Sequence, residues 1–297
     1  MELAPIVLFV YNRPEHTRRT VESLLRNNLA GKSRLYIFSD GAKRKKDEPK
    51  VYAVREFIKG ISGFGKIEII LRKKNLGLAS SVISGVNEVF QFSDRLIVLE
   101  DDIVTSPSFL NFMNESLDFY RSNKSIFSIS GFTYPINFIK KYCKDVFISY
   151  RPSSWGWATW SDRWYKAKWD KNAFSLFLND KSLQEKFNRA GDDLTPMLFN
   201  QIKGRIDSWA IRWAYAHFEN NAYCLFPKIS LCRNIGMDSS GTHSSTSNKY
   251  DVKLDESYRQ FVLISDLEIE DEIFREIKDL FKLSLLRRMI NFFKMKF

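Results

Sequence analysis

Hydrophobic and polar positions follow two patterns that alternate through the first hundred residues. Continuous apolar runs, typical of strands buried on both faces, lie at residues 5–11, 35–39 and 67–71 and in the middle of the stretch 94–104. Apolar residues at the three- and four-residue spacing of helices follow the first three runs, at residues 14–28, 51–61 and 75–90. This alternation predicts an α/β protein with a mainly parallel sheet that helices cover on both faces.

Three carboxylates, Glu100, Asp101 and Asp102, lie at the end of the fourth strand of this pattern. Adjacent like charges raise each other's pKa and oppose ionisation, so we expect a positive group among them. Hard oxygen ligands suit Mg²⁺ or Mn²⁺, which bind one or two carboxylates and complete their shell with water and substrate phosphates. The run therefore predicts a divalent-metal site, with a solvated acidic loop as the alternative.

Polar residues also follow the first two strands of the pattern, namely Arg13 and Asp40. Because parallel sheets bind ligands at the carboxyl ends of their strands, we expect both residues to share one site with the three carboxylates. No Gly-x-Gly-x-x-Gly follows the first strand, and the chain has no Gly-x-x-x-x-Gly-Lys-[Ser/Thr]. Dinucleotide oxidoreductases and P-loop phosphotransferases are therefore disfavoured.

The composition of the chain limits the kinds of ligand and the cellular compartment that we expect. The 297 residues carry a net charge of +11, which favours nucleotides, lipid surfaces or nucleic acid. Nucleic acid is disfavoured because the tryptophans cluster away from the basic run 43–46 instead of interleaving with it. The three cysteines have no Cys-x-x-Cys spacing and predict neither a disulfide framework nor a zinc site. Without a long apolar span or a basic signal-peptide start, we expect a cytoplasmic protein.

Three motifs resemble one class of enzymes: the segment PIVLFVYNRP at 5–14, Asn75-Leu76-Gly77-Leu78 before a helix, and Leu99-Glu100-Asp101-Asp102. In their order and spacing they resemble the GT-A glycosyltransferases, which have a Rossmann-like fold and transfer sugars from nucleoside diphosphates. The Glu-Asp-Asp form looks most like the N-acetylglucosaminyltransferase I type and bacterial family 2-like enzymes of surface polysaccharide assembly. The resemblance covers residues 5–245.

The resemblance implies a metal-dependent inverting transfer and a role for each motif residue. Asp102 would hold Mn²⁺ or Mg²⁺, and Glu100 and Asp101 would lie at the sugar nucleotide. Arg13 and Asp40 would contact the nucleoside. The donor would be a nucleotide sugar, with a UDP-sugar favoured, and the acceptor a glycan or a lipid-linked precursor. A sugar-1-phosphate nucleotidyltransferase is the alternative enzyme, but its glycine-rich, arginine-containing turn after the first strand is absent.

Aromatic residues dominate the segment 153–160, which contains three indoles and a glycine. Aromatic side chains bury large areas, so a core cluster is one interpretation. In a loop that also contains serine, an indole suits a sugar, whose apolar C–H face stacks on it while its hydroxyls meet polar groups. We therefore predict that Trp155, Gly156 and Trp157 lie at the substrate, near donor and acceptor.

An inverting transfer needs a general base on the acceptor hydroxyl. The candidate is Asp207, with a helix N-cap as its alternative role, and Asp192 and Asp193 are weaker candidates. The resemblance favours Asp207, since the family's catalytic carboxylate also lies in an Asp-x-Trp-like stretch upstream of a Pro-x-Ile-Ser segment. Residues 234–236 and 241–244 resemble the loop that closes over the donor. There, His243 would meet the diphosphate or metal, or only solvent.

The chain divides into a predicted catalytic domain at 1–246, with a donor half at 1–131 and an acceptor half at 132–246, and a linker with amphipathic helices at 247–297. Residues 282–297 carry five basic and no acidic side chains among many apolar ones. This composition predicts an interfacial helix on an anionic membrane, at the inner face of the plasma membrane. A helix docked on the catalytic domain or a homodimer contact is the alternative.

Overall fold

The computed structural model describes residues 2–237 and 249–296. Its strands are β1 (Ile6–Val10), β2 (Arg34–Ser39), β3 (Lys66–Leu71), β4 (Arg95–Glu100), β5 (Ile103–Thr105), β6 (Ile126–Ser130), β7 (Val146–Ser149), β8 (Trp157–Trp160), β9 (Tyr223–Pro227) and β10 (Cys232–Asn234). Its helices are α1 (Pro14–Leu25), α2 (Glu48–Lys59), α3 (Leu78–Val89), α4 (Phe109–Phe119), α5 (Ser161–Trp164), α6 (Ser175–Asn179), α7 (Lys181–Phe187), α8 (Leu194–Ile202), α9 (Trp209–Glu219), α10 (Asp271–Leu280) and α11 (Leu285–Lys296).

Eight strands form the main sheet, in the order β3-β2-β1-β4-β8-β6-β9-β7. Strands β1 to β4 pair in parallel, whereas β8 runs antiparallel to both β4 and β6, and β7 antiparallel to β9. A small second sheet pairs β5 with β10. The predicted α/β architecture with a mainly parallel sheet is confirmed.

The two faces of the sheet bury two separate cores, as the alternation along β1 shows. Ile6 and Leu8 join the core under α1, α2 and α4, whereas Val7 and Phe9 join the core under α3 and α9. Each fully buried side chain of this kind contributes roughly 1.5–3 kcal/mol through the hydrophobic effect. Burial on both faces explains why the strand is a continuous apolar run.

The C-terminal segment packs on the α/β part of the chain before it reaches solvent. The Tyr120 hydroxyl donates a hydrogen bond to the Ile264 carbonyl at 2.8 Å, and α10 buries Ile273 and Ile277 in the first core. Helix α11 follows with Leu285 and Leu286 exposed. The C-terminal segment thus has one docked helix, α10, and a second, α11, that exposes Leu285 and Leu286 but is held to Asp192 through Arg288 and buries Asn291. Within the described ranges, no helix has the length and apolar character needed to cross a bilayer.

Candidate active site

The carboxyl ends of β1 to β4 lie side by side at one edge of the sheet. A cavity of about 420 Å³, called the first cavity below, opens at this edge. Its volume falls within the roughly 300–1,000 Å³ of small-molecule sites. Seven of the residues predicted from sequence line it: Arg13, Asp40, Glu100, Asp101, Asp102, Trp155 and Asp207.

A positively charged side chain lies against the three carboxylates Glu100, Asp101 and Asp102, which are called the acidic edge below. It is Arg13, whose Nη2 donates to Asp101 Oδ1 and, at 3.0 Å, to Asp102 Oδ2. Helix α1 begins at Pro14, which fits a first turn because it lacks an N–H that would need a partner. That helix start fixes Arg13 at the end of β1, beside the acidic edge.

Burial and repulsion between like charges raise the pKa values of Glu100 and Asp101. Burial, and then the charges of Asp102 and Asp101, raise the pKa of Glu100 to about 8. Burial also raises the pKa of Asp101, although Arg13 opposes that shift. Burial lowers the pKa of Arg13 itself, but the two aspartates outweigh it and the net shift is upward. A further cation would therefore stabilise the ionised carboxylates.

Asp102 has the free oxygen that a metal ligand needs. Its Oδ2 accepts from Arg13, whereas its buried Oδ1 has no hydrogen-bond partner among the described residues. A buried polar atom left unpaired costs roughly 1–3 kcal/mol, which a bound cation would recover. Across residues 2–237 and 249–296, no three acidic, histidine or cysteine side chains form a ligand group. Mg²⁺ or Mn²⁺ therefore fits here with phosphate and water as its other ligands.

Gly236, which follows β10, lies against the acidic edge. A Cβ at this position would stand 2.2 Å from Asp102 Oδ2 and 2.7 Å from Arg13 Nη1. The Gly236 amide donates to the Asn234 side chain at 2.7 Å, which holds the turn in place. Only glycine fits here unless the carboxylate moves.

Asp40 is fully engaged by protein groups at the wall of the first cavity. Its Oδ1 accepts from Arg72 Nη1 and from the Ser81 hydroxyl, each at 3.1 Å, and its Oδ2 accepts from the Leu76 amide at 2.9 Å. Asp40 therefore holds the loop before α3 against the end of β3. Its predicted contact with the nucleoside stays a prediction.

Asp207 reaches the first cavity from the loop before α9. Its Oδ2 accepts from the Ala79 amide at 3.2 Å, in the first turn of α3. Gly77 precedes that turn at φ +79° and has no side chain that could cap it. Helix α9, in contrast, is capped by Ser208, so Asp207 does not cap the helix that follows it. Asp207 caps α3 across the cavity wall, and its carboxylate remains exposed.

The two tryptophans predicted at the substrate have different environments. Trp155 is half-buried and lines the first cavity. Trp157 is 0% exposed, and its ring stacks on Trp209 and Trp164 with centroids 4.9 and 5.5 Å away. The predicted substrate contact is corrected for Trp157, because β8 directs this side chain into the core.

Gly156 makes the turn that separates the two rings. Its φ of +54° lies in the left-handed region that favours glycine. A Cβ here would stand 3.0 Å from Cys232 Sγ and 3.1 Å from the Phe109 ring. Gly156 is buried and does not line the first cavity, so it positions Trp155 instead of touching a ligand.

Two residues of the site were not recognised from the sequence. Arg72 directly follows β3, and this position at a strand's carboxyl end was the available signal. Trp209 donates its indole N–H to Glu100 Oε1 at 3.3 Å, and no sequence signal marked it. His243, in contrast, lies outside the described residues, so its contact with diphosphate or metal stays a prediction.

A mainly parallel sheet with carboxylates in a cavity at its carboxyl edge is the architecture of a nucleotide-sugar glycosyltransferase with the GT-A fold. The chain belongs to glycosyl transferase family 2, whose profile matches residues 6–178, more than half of its length. The predicted fold and glycosyltransferase activity are confirmed, whereas the specific likeness to N-acetylglucosaminyltransferase I stays a prediction. No curated protein matches the chain.

Solved structures show remote likeness. A mannosyltransferase from Pyrobaculum calidifontis, in complex with GDP-Man and Mn²⁺, is 10% identical with a TM-score of 0.41, over 73% of this chain and 72% of that one. S. aureus TarS 1–349 in complex with UDP is 8% identical with a TM-score of 0.33, over 43% of this chain and 34% of that one. Likeness at this level says nothing about the donor or acceptor of this chain.

Proposed function

We propose that this glycosyltransferase is metal-dependent and inverting, and moves a sugar from a nucleoside diphosphate to a surface glycan or its lipid-linked precursor. A UDP-sugar is the favoured donor. The observation that carries the proposal is that Asp102, with an unpartnered buried oxygen, and the exposed carboxylate of Asp207 line one cavity. The transfer requires neutralisation of the leaving diphosphate and removal of a proton from the acceptor hydroxyl, and a metal ligand and a candidate base in one cavity would supply both.

The acidic edge would hold the donor's diphosphate. Asp102 would bind Mg²⁺ or Mn²⁺ through its unpartnered Oδ1, with Asp101 beside it. When bound, the ion supplies positive charge that neutralises the leaving diphosphate. Arg13 keeps both aspartates oriented and adds a permanent positive charge at the same edge.

Asp207 would act as the general base. The acceptor hydroxyl oxygen forms a bond to the anomeric carbon while its proton passes to the Asp207 carboxylate. The bond from the anomeric carbon to the phosphate oxygen breaks, and the nucleoside diphosphate leaves with the electron pair. The Ala79 amide holds one carboxylate oxygen and thereby orients the base.

The exposed helix α11 supports a peripheral position on an anionic membrane. Leu285 and Leu286 are 80% and 68% exposed, beside exposed Arg287. Apolar side chains next to basic ones suit the headgroup region, where each basic residue contributes about 1 kcal/mol. A lipid-linked acceptor would be reached directly from this position.

Asp207→Asn tests the base. Asparagine retains an oxygen that accepts from Ala79, so the melting temperature and donor affinity should change little. Loss of the base should lower transfer on the order of 10²- to 10⁴-fold. Steady-state kinetics and calorimetry with UDP-sugars and Mn²⁺ measure these quantities.

Asp180→Asn is the matched control, since Asp180 caps α7 through the Leu183 amide at 2.9 Å, away from the first cavity. NMR of the product gives the anomeric configuration. A fully active Asp207→Asn enzyme would remove the base assignment, and a product with retained configuration would contradict the inverting mechanism.

A further inference from the structure

We propose that a second cavity, of about 410 Å³, binds an uncharged sugar ring of the acceptor. This inference rests on the proposed transferase function and adds a location and a chemical class for the acceptor. The residues that define the cavity chemically are Tyr134, Arg151, Trp155, Asp193, Tyr250 and Phe281.

The second cavity adjoins the first cavity, which contains the proposed base. Trp155 lines both cavities. Asp207 lines the first, and Trp209 and Ala210, two and three residues later, line the second. A sugar in the second cavity would therefore present a hydroxyl past Trp155 toward the first cavity, which Asp207 lines. This position is where an acceptor must lie for Asp207 to take its proton.

A paired arginine and aspartate make the second cavity suit a neutral ligand. Arg151 is buried and binds Asp193 through two hydrogen bonds, Nη1 to Oδ1 at 2.8 Å and Nη2 to Oδ2 at 2.7 Å. Because the two charges cancel within this pair, a phosphate or carboxylate placed against it would gain little from Arg151 and would meet repulsion from Asp193. A further positive charge near the cavity is that of Lys249, whose Nζ lies outside the pair, 5.4 and 5.6 Å from the centres of the Tyr250 and Phe281 rings. The partly exposed Asp193 carboxylate can still accept hydrogen bonds from sugar hydroxyls.

Aromatic rings supply the complementary apolar surface. Trp155, Tyr250 and Phe281 are each half-buried, and Tyr250 stacks on Phe281 at 5.8 Å between centroids. The Arg151 guanidinium lies 3.4 Å from the centre of the Phe281 ring. Apolar ring faces beside a buried ion pair match a sugar, which carries a C–H face and a rim of hydroxyls. An alkyl chain would leave the polar side of the cavity unsatisfied.

The C-terminal segment builds one wall of this cavity. Phe281 directly follows α10, and the next turn is held where the Leu283 amide and the Arg288 side chain both donate to Asp192. Helix α11 begins immediately after. The wall of the second cavity therefore continues directly into α11, the helix proposed to lie on the membrane. A membrane-bound α11 would bring a lipid-linked sugar close to the second cavity.

Saturation-transfer NMR with methyl glycosides of glucose, galactose, mannose, rhamnose and N-acetylglucosamine tests the assignment in UDP- and Mn²⁺-saturated protein. Ala210→Leu fills the cavity and Tyr250→Ala removes one ring. Each should weaken binding of the preferred glycoside about tenfold or more, a loss of about 1.4 kcal/mol. Phe92→Ala, which removes a 76% exposed ring elsewhere, should leave glycoside binding unchanged.

The possible outcomes distinguish a failure of the acceptor-site proposal from a failure of the proposed transfer mechanism. Measured without UDP and Mn²⁺, glycoside binding that survives in Asp102→Ala and Asp207→Asn but is lost in Tyr250→Ala supports a sugar site, whether or not the transfer mechanism holds. If Ala210→Leu fails to fold, Tyr250→Ala decides. The assignment is overturned if no glycoside binds the wild type, if both cavity variants bind as the wild type does, or if hexane-1,6-diol occupies the cavity where the glycosides do not.

Discussion

The acidic edge lies beside the tryptophan cluster, which comprises Trp157, Trp164, Trp169, Trp209 and Trp213, because β4 and β8 are neighbouring strands. The two regions have opposite effects on the stability of the fold. The acidic edge gathers three carboxylates, and burial and repulsion raise the pKa of two of them, Glu100 and Asp101. The tryptophan cluster stacks rings with centroid separations from 4.4 Å upward and buries most of them completely. Trp209 joins the two regions through its hydrogen bond to Glu100.

This difference shows how the fold accommodates a destabilising site. The carboxylates are poised for a cation and substrate, and this arrangement costs stability in the free protein. Aromatic pairs contribute roughly 0.5–1.5 kcal/mol each beyond the burial of their area, so the cluster behind the edge can offset that cost. Function and stability should therefore respond separately to mutation in the two regions.

Asp102→Ala should produce the largest effect on activity. Loss of the proposed metal ligand removes several kcal/mol of charge stabilisation, so transfer should fall by about three orders of magnitude or more. The melting temperature should stay the same or rise, because a like charge is gone. Kinetics, calorimetry with UDP and Mn²⁺, and thermal melting measure these effects.

The control for this variant is Asp94→Ala, which removes an exposed carboxylate just before the opposite end of β4 and should leave transfer unchanged. If the wild type and Asp102→Ala both bind UDP equally well with and without Mn²⁺, Asp102 has no part in metal binding.

Trp157→Ala should mainly affect stability. Removing a fully buried aromatic side chain costs about 3–5 kcal/mol of unfolding free energy, which urea denaturation measures. The neighbouring Trp155→Ala is the matched comparison, because the half-buried Trp155 lines both cavities. It should cost less stability and instead raise the KM for the acceptor. A larger loss of stability in Trp155→Ala than in Trp157→Ala, with the larger rise in acceptor KM in Trp157→Ala, would contradict the division between the tryptophan cluster and the cavities.

His217 extends the comparison, since it is a titratable group inside the stabilising region. It packs edge-on against Trp213 at 4.6 Å, and burial lowers its pKa to about 4 from an ordinary 6.5. The unfolded chain therefore binds the proton more readily between these pH values. The free energy of unfolding is therefore at its full value above pH 6.5. It declines as the pH falls from 6.5 toward 4, by a total on the order of 3 kcal/mol.

His217→Gln should be less stable than the wild type near neutral pH but should lack this part of the pH dependence. Urea titrations at a series of pH values from 4 to 7 give the difference between the two proteins. His16→Gln, outside the core, is the control and should keep the wild-type slope. An identical slope in His217→Gln and wild type would show that another group is responsible.

The smallest effect is expected at α11, where apolar side chains remain exposed. Leu286→Ser should weaken sedimentation with phosphatidylglycerol vesicles about fivefold, close to 1 kcal/mol, and high salt should weaken the wild-type association. Leu176→Ser removes a leucine that is 83% exposed elsewhere and should have no effect. Equal binding by both variants, or wild type that ignores these vesicles at low salt, would count against the membrane surface.

The fold and the acidic edge were predictable because local patterns encode them. Continuous apolar runs separated by helical spacing predict a parallel sheet, and its strand ends must meet at one edge. Arg13, Asp40 and Asp102 follow three such strands, so their convergence required no knowledge of distant contacts. The charge of the acidic edge predicted a divalent cation, which stays a prediction, whereas the ion pairs of Arg13 with Asp101 and Asp102 were not predicted, since Arg13 was assigned to the nucleoside.

The tertiary structure alone decided which aromatic and acidic residues line cavities. Trp155 and Trp157 are indistinguishable by composition, but strand pairing buries one and a left-handed glycine turns the other outward. Asp207 caps α3, a helix more than a hundred residues earlier in the chain, and Asp193 pairs with Arg151 across a cavity that the C-terminal segment closes. Such contacts join residues far apart in sequence, so no local period or spacing carries their signal, and only the packed chain defines them.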